Sequence, residues 1–143
     1  MSAYADTSFL ASLYVPDANS ASAIASMKRL SLPVLLTPLT QVELMNAFSL
    51  RILRKELTSS KVDATRALVR ADIDSGVLWI APFGSTIFER ARQMTAKQTP
   101  RLGTRTLDLL HVASALVLRA DTFCTFDQRQ ASLASAEGLR LQP

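Results

Sequence analysis

The sequence predicts an α/β fold in which helices alternate with the strands of a mainly parallel sheet. Short apolar, β-branched or aromatic runs recur along the 143 residues, and a longer helical pattern follows most of them. In the clearest case, a helix at residues 107–118 that is apolar on nearly all sides precedes the run at residues 122–125. Such a helix is typical of a core packed on both sides. The length suits one domain with a substantial core, so we expect a single domain over residues 1–143.

Five strands are predicted, because five short runs combine apolar character with flanking turn residues. They lie at residues 2–5, 34–36, 77–81, 122–125 and 139–141. The runs alternate with helices throughout, and this alternation favours a mainly parallel sheet.

Helices are predicted between these strands from capping residues, helix breakers and apolar spacing. They cover residues 9–14, a segment from 17 or 20 to about 30, residues 38–55, a segment capped at 58–60 and ended by Gly76, and residues 85–97, 107–118 and 128–136. Pro38 suits the first turn of its helix, where the missing N–H costs no hydrogen bond. The longest predicted break is residues 98–105, which contain Pro100 and Gly103.

Composition limits the classes of function. The formal net charge is +4, and twelve of the 16 cationic residues are arginines, which favours phosphate-like partners without proving nucleic-acid binding. A lone cysteine, no signal-like start and no apolar run near the roughly 20 residues of a membrane span lead us to expect a cytoplasmic protein with no membrane contact. The four glycines form no phosphate-binding loop, and one cysteine with one histidine argues against zinc.

Four carboxylates carry the functional prediction. Asp6 and Asp127 each follow a strand, Glu43 lies one to two turns into the helix after another strand, and Asp108 opens a helix. In a parallel sheet these junctions share one edge, where ligands bind. Carboxylates gathered in a poorly solvated cleft need a counter-charge, and Mg²⁺ or Mn²⁺ suits oxygen ligands. The sequence therefore predicts a metal-dependent nuclease, in which the cation activates water and polarises a phosphodiester.

Other residues are assigned supporting roles around these acids. Thr7, Ser8 and Thr125 flank them and could hold metal-bound water or phosphate, or simply cap helices. Asn46 lies one turn after Glu43 and could face the same cleft. Five arginines are expected to hold the polyanion over the acids: Arg51, Arg54, Arg101, Arg105 and Arg129.

Plainer interpretations remain open for each residue. Asp6, Asp108 and Asp127 could simply cap helices or interact with the helix dipole, and Glu43 could face solvent on an amphipathic helix. His111, one turn after Asp108, could ligate a metal, but a buried, hydrogen-bonded core histidine is the preferred interpretation.

The motifs around the four acids resemble those of the PIN-domain family, and more closely those of the VapC toxins of bacterial toxin–antitoxin pairs. They read YADTS around Asp6, PLTQVEL around Glu43, LDLLHVASA around Asp108 and TFDQRQ around Asp127. The resemblance covers the full length and implies an α/β/α sandwich. It assigns Asp6, Glu43 and Asp108 to the core metal-binding acids, and Asp127 to a more variable fourth.

The resemblance also implies an activity and partners. Relatives are Mg²⁺- or Mn²⁺-dependent endoribonucleases that cut RNA, often structured tRNA or rRNA, by in-line attack of metal-activated water that leaves a 5′-phosphate. A homodimer and a cognate VapB-like antitoxin are expected, with DNA contacted only through the antitoxin.

Three other functions are weighed against this one. A non-catalytic PIN-like module that binds RNA or protein would be expected to lack some of the acids, and a DNA or RNA-processing nuclease to carry extra domains. A phospho-acceptor receiver domain would need an acidic pair at the first strand and a late lysine, whereas the last lysine here is Lys97.

Overall fold

Five three-residue strands form a parallel sheet in the computed structural model, which describes residues 2–143. The strands are β1 (Ala3–Ala5), β2 (Val34–Leu36), β3 (Leu78–Ile80), β4 (Thr122–Cys124) and β5 (Arg140–Gln142). Their order across the sheet is β3-β2-β1-β4-β5, and each neighbouring pair runs parallel. The predicted α/β class with a sheet of five strands is therefore confirmed, and the sheet is parallel throughout.

Helices cover both faces of this sheet. They are α1 (Thr7–Tyr14), α2 (Ser20–Met27), α3 (Pro38–Leu53), α4 (Ser59–Asp74), α5 (Ser85–Leu102), α6 (Thr106–Val117) and α7 (Gln128–Ala136). Side chains alternate across a strand, so in β1 Ala3 and Ala5 join the core beneath α1 to α4, while Tyr4 joins the core beneath α5 to α7. Strand β2 divides in the same way. This is the α/β/α sandwich that the family resemblance implied.

The predicted break at residues 98–105 is wrong over its first half, because α5 continues through Pro100 to Leu102. Proline removes one backbone donor, and in the last helical turn that loss affects a single hydrogen bond. The helix ends at Gly103, whose φ of 64° is left-handed and whose N–H donates to the carbonyl of Thr99 at 2.9 Å. The other predicted elements are present with ends displaced by a few residues; α1, for example, already begins at Thr7.

Parallel strands place all their carboxyl ends at one edge of the sheet. The central strands β1 and β4 are neighbours there, with Ala5 opposite Cys124, and β2 lies on the other side of β1. The residues that follow these three strands therefore meet, and α1, α3 and α7 start from this edge. Within residues 2–143, no helix combines the length and apolar character needed to cross a membrane.

Candidate functional site

Asp6 is held at the base of the site by three neighbours. Its Oδ1 accepts hydrogen bonds from Ser8 Oγ at 2.7 Å and from the backbone N–H of Phe9 at 3.0 Å. Its Oδ2 accepts from Thr125 Oγ1 at 2.5 Å, across the junction of β1 and β4. Asp6 thus caps α1, as the plainer interpretation supposed, and both carboxylate oxygens are also engaged in the site.

Burial dominates the electrostatics of Asp6, which has no exposed surface. Burial raises the pKa of its carboxyl group, while the hydrogen bonds from Thr125, Phe9 and Ser8 lower it by a smaller amount. A carboxylate in this environment would be stabilised by a nearby cation.

Glu43 projects from the second turn of α3 towards the same place. Its Oε1 accepts from Thr7 Oγ1 at 2.9 Å and is in contact with His111 Nε2, and one quarter of its side chain is exposed. Burial acts to raise the pKa of Glu43, but the hydrogen bond and charge of His111, with the Thr7 hydrogen bond, hold it below its usual range. The solvent-facing alternative for Glu43 is therefore wrong.

His111 is fully buried and hydrogen-bonded, which confirms the preferred interpretation of a core histidine. Its Nδ1 lies 2.8 Å from the hydroxyl of Tyr4, and that hydroxyl lies 3.0 Å from Thr40 Oγ1. The contact with Glu43 and the part of Tyr4 were not predicted from the sequence. The only signals were local: His111 one turn after Asp108, and Tyr4 two residues before Asp6.

Asp108 and Asp127 face each other across Arg105. Asp108 lies in the first turn of α6, and its Oδ2 accepts from the Arg105 N–H at 2.9 Å and from Arg105 Nε at 3.3 Å. Arg105 Nη2 lies 3.7 Å from Asp127 Oδ2. Asp127 Oδ1 caps α7 by accepting from the N–H groups of Arg129 and Gln130. Capping thus occupies one oxygen of Asp127, and the other faces Arg105.

An open cleft of about 630 Å³ collects most of these groups. Its lining residues are Thr7, Ser8, Ala11, Glu43, Ala47, Arg105, Thr106, Leu107, Asp108, Asp127 and Gln130. Asp6 is buried behind Ser8, which lines the cleft and donates to it. The structure therefore brings the four predicted acids to one place, together with Thr7, Ser8 and, through its bond to Asp6, Thr125.

The structure does not bring every predicted site residue to this cleft. Asn46 is exposed on α3 and is not part of the lining. Arg51 lies eight residues beyond Glu43 on α3, roughly 12 Å along the axis, and pairs with Glu56 at 3.0 Å beside a separate groove. Arg54 is exposed further along the same chain segment.

Among the five predicted arginines, Arg105 is the one that lines the cleft. Arg101 lines a neighbouring cavity that it shares with Gln128, next to Asp127 in the chain. Arg129 is exposed at the start of α7. These two lie near the α6–α7 side of the site.

The donor set fits a hard divalent cation that keeps much of its water. Within residues 2–143, no three His, Cys, Asp or Glu side chains stand close enough together to enclose a metal ion. Glu43 bonds through Oε1 and Asp108 through Oδ2, which leaves Oε2 and Oδ1 of these residues for a ligand. Mg²⁺ is commonly bound through one or two carboxylates with several waters, so the oxygens present suit it.

Comparison with known proteins assigns a family. The family model described as the PIN domain matches residues 3–136. No curated protein sequence matches the chain.

Two crystal structures share the fold. The sarcin–ricin-loop-cleaving toxin VapC20 of Mycobacterium tuberculosis superposes with a TM-score of 0.71 at 18% identity, covering 99% of this chain and 100% of that chain. FitAcB from Neisseria gonorrhoeae gives a TM-score of 0.70 at 18% identity, covering 99% and 96%. The family match spans nearly the whole chain and confirms the resemblance seen in the four acidic motifs. The chain belongs to the PIN domain family.

Proposed function

We propose that this protein is a metal-dependent endoribonuclease and the toxin of a toxin–antitoxin pair. The observation that carries the proposal is the meeting of Glu43, Asp108 and Asp127 at one open cleft, with buried Asp6 behind it. Membership of the PIN domain family supports the same activity, since PIN nucleases generally use divalent metals.

Each acid has a role in this proposal. Glu43 and Asp108 each keep one carboxylate oxygen for the cation, Asp6 supplies buried negative charge, and Asp127 completes the rim. Mg²⁺ or Mn²⁺ bound there would polarise the phosphodiester and lower the pKa of water. Thr7, Ser8 and Thr125 hold the carboxylates by hydrogen bonds.

RNA is the proposed substrate. VapC20, which shares the fold, is a sarcin–ricin-loop-cleaving toxin, and this chain carries a net charge of +4 that favours a polyanion. We therefore propose a structured RNA, ribosomal or transfer RNA, as the target. A cognate antitoxin, a homodimer and a cytoplasmic location complete the proposal.

The test is cleavage of total RNA by purified protein, free of antitoxin, in Mg²⁺, Mn²⁺ or EDTA. We expect discrete bands that need the metal and vanish in Asp108→Asn, with a loss greater than the roughly 10- to 100-fold that removal of an outer-shell partner causes. Asp108→Asn is a cleaner variant than Asp6→Ala, because Asp6 caps α1 and makes three buried hydrogen bonds. Circular dichroism should show that the variant folds.

The matched control is Asp63→Asn, which removes an exposed acid on α4 and should leave cleavage unchanged. Bands that persist in EDTA or in Asp108→Asn would indicate a contaminating ribonuclease. The toxin role is tested with the same variants: expression of the unsubstituted chain without an antitoxin should stop growth, and Asp108→Asn should not.

A non-catalytic binding module is the second candidate. The observation that favours it is Arg105, which contacts both Asp108 and Asp127 and so competes with a metal ion for them. The cleavage experiment, with a gel shift beside it, separates the two functions. A binding module would bind RNA in the gel shift but would not cut it in Mg²⁺ or Mn²⁺.

A further inference from the structure

A buried chain of hydrogen bonds runs from the core of the domain to the cleft. It passes from Thr40 Oγ1 to the Tyr4 hydroxyl over 3.0 Å, from that hydroxyl to His111 Nδ1 over 2.8 Å, and from His111 Nε2 to Glu43 Oε1. Thr40, Tyr4 and His111 have no exposed surface, and Glu43 is the member that reaches the cleft. The roles proposed for the four acids do not account for this buried row of hydrogen-bonded polar side chains.

The carboxylate of Glu43 fixes the direction of the last hydrogen bond in the chain. A carboxylate oxygen can only accept, so His111 Nε2 must carry the proton that it shares with Glu43. The Tyr4 hydroxyl can donate to Nδ1 of a neutral ring or accept from Nδ1–H of a protonated ring, and Thr40 takes the complementary role in either case. Every member thus has a partner, as buried polar groups require.

Tyr4 is held firmly enough to orient the histidine. Its ring stacks on Phe123 with centroids 5.6 Å apart, and it lies in the central strand of the sheet. The imidazole of His111 meets the tyrosine ring edge-on at 6.0 Å. Tyr4 therefore fixes the ring of His111 by an edge contact and a hydrogen bond to Nδ1, and Glu43 contacts its other nitrogen.

We propose that Tyr4 and His111 are positioning residues that orient the Glu43 carboxylate for the metal ion. His111 and Thr7 together occupy Oε1, which restricts the rotation of a long side chain and leaves Oε2 of this cleft-lining residue for a ligand. Partners behind a metal ligand commonly orient it in this way. The inference rests on the proposed metal-dependent function, since Glu43 is a ligand only there.

Two substitutions of His111 separate positioning from packing. The amide of His111→Asn falls near the place of Nδ1, so it can keep the contact with Tyr4 but cannot reach Glu43. The amide of His111→Gln reaches the place of Nε2 and can still donate to Glu43. We expect His111→Asn to bind Mn²⁺ roughly 10- to 100-fold more weakly in electron paramagnetic resonance titrations, with His111→Gln closer to the unsubstituted protein.

Equal Mn²⁺ affinity in His111→Asn and the unsubstituted protein would overturn the proposal. An equal loss in both variants, with both folded by circular dichroism, would also overturn it, since that result indicates a packing role alone.

A second measurement needs neither metal nor RNA. The chain contains one histidine, so ¹⁵N-labelled histidine gives a single pair of ring resonances by nuclear magnetic resonance. In metal-free protein we expect the proton on Nε2, with a resonance that shifts in Glu43→Gln. A ring without a proton on Nε2, or a resonance indifferent to Glu43→Gln, would refute the positioning contact. If the unsubstituted protein bound no Mn²⁺ and cut no RNA, the proposed function would fail while this measurement still decided the His111–Glu43 contact.

Discussion

In the proposed function, Arg105 is the residue in which RNA binding and metal binding would oppose each other. Its guanidinium contacts Asp108 and lies 3.7 Å from Asp127, yet 60% of its side chain is exposed. An exposed cation over carboxylates can also turn to a phosphate, because arginine is fully charged and matches phosphate geometry. The same side chain therefore screens the acids in the free protein, and in the proposed function it would also contact RNA.

Replacement of Arg105 by alanine should weaken RNA binding and tighten Mn²⁺ binding. The RNA effect follows from the loss of one phosphate contact, which should reduce the slope of log K against log salt by about 0.7 for single-stranded RNA. The Mn²⁺ effect follows because Asp108 and Asp127 lose a competing cation. Fluorescence anisotropy across a salt series measures RNA binding, and electron paramagnetic resonance measures Mn²⁺ binding. Asp108 is unchanged in the protein used for both measurements.

Arg51→Ala is the comparison for this prediction, because Arg51 is already paired with Glu56 away from the cleft. It should change the salt slope less than Arg105→Ala. A larger effect of Arg51→Ala than of Arg105→Ala on the salt slope would indicate that Arg51 contributes more to RNA binding than Arg105.

The positions of the acidic residues can be predicted from the sequence better than the contacts between side chains. Asp6 and Asp127 were predictable because a residue after a parallel strand lies at a known edge of the sheet. The link between Glu43 and His111 joins residues 68 positions apart, and it depends on how α3 and α6 pack against β1. Arg51 was misplaced for a related reason: a helix that starts at the site carries its later residues away from it.

Among the elements, the junction between α5 and α6 determines where Asp108 lies. Local propensity predicted a loop from residue 98. In the structure, Met94 and Gln98 are buried, and Gln98 donates a hydrogen bond to Glu137 at 3.2 Å, so the end of α5 stays packed. Tertiary packing thus outweighed the proline. The turn itself was predictable as a break near Gly103, because glycine favours the left-handed conformation that ends a helix.

Gly103→Ala should lower the free energy of unfolding by about 1 kcal/mol, because a side chain at φ 64° is strained. No atom lies within 4 Å of the added Cβ, so the cost is conformational and not a clash. Gly103→Asn should cost less, since asparagine tolerates this conformation. Urea unfolding of the three proteins measures the order, and an asparagine variant less stable than the alanine variant would contradict this account.

For the whole molecule, a sheet covered on both faces buries groups that ionise only at high pH. Burial raises the pKa of Tyr4 to about 12 and that of the Cys124 thiol to about 12. Tyr14 donates to Asp72 between α1 and α4; its burial, and then this hydrogen bond and the charge of Asp72, raise its pKa above the usual range. These are both tyrosines of the chain and its one cysteine. The sequence predicted a buried Cys124 but gave no sign that both tyrosines would be held by partners distant in the chain.

The protein should therefore lose stability at alkaline pH. A pKa raised by folding means that the folded chain keeps its proton at a pH where the unfolded chain releases it. The contribution of such a group to folding stability is therefore fully present below its pKa in the unfolded chain, and it is lost as the pH rises towards its pKa in the folded chain. From about pH 9 for Cys124 and from about pH 10 for Tyr4, up to about pH 12, each group should lower the free energy of unfolding by up to about 1.4 kcal/mol per pH unit. Urea unfolding at successive pH values measures the slope, and tyrosinate absorbance should rise together with loss of the circular dichroism signal. In Tyr14→Phe the slope should be smaller. Tyrosinate absorbance that appears near pH 10 in protein still folded by circular dichroism would show that at least one of the two rings is not held as described.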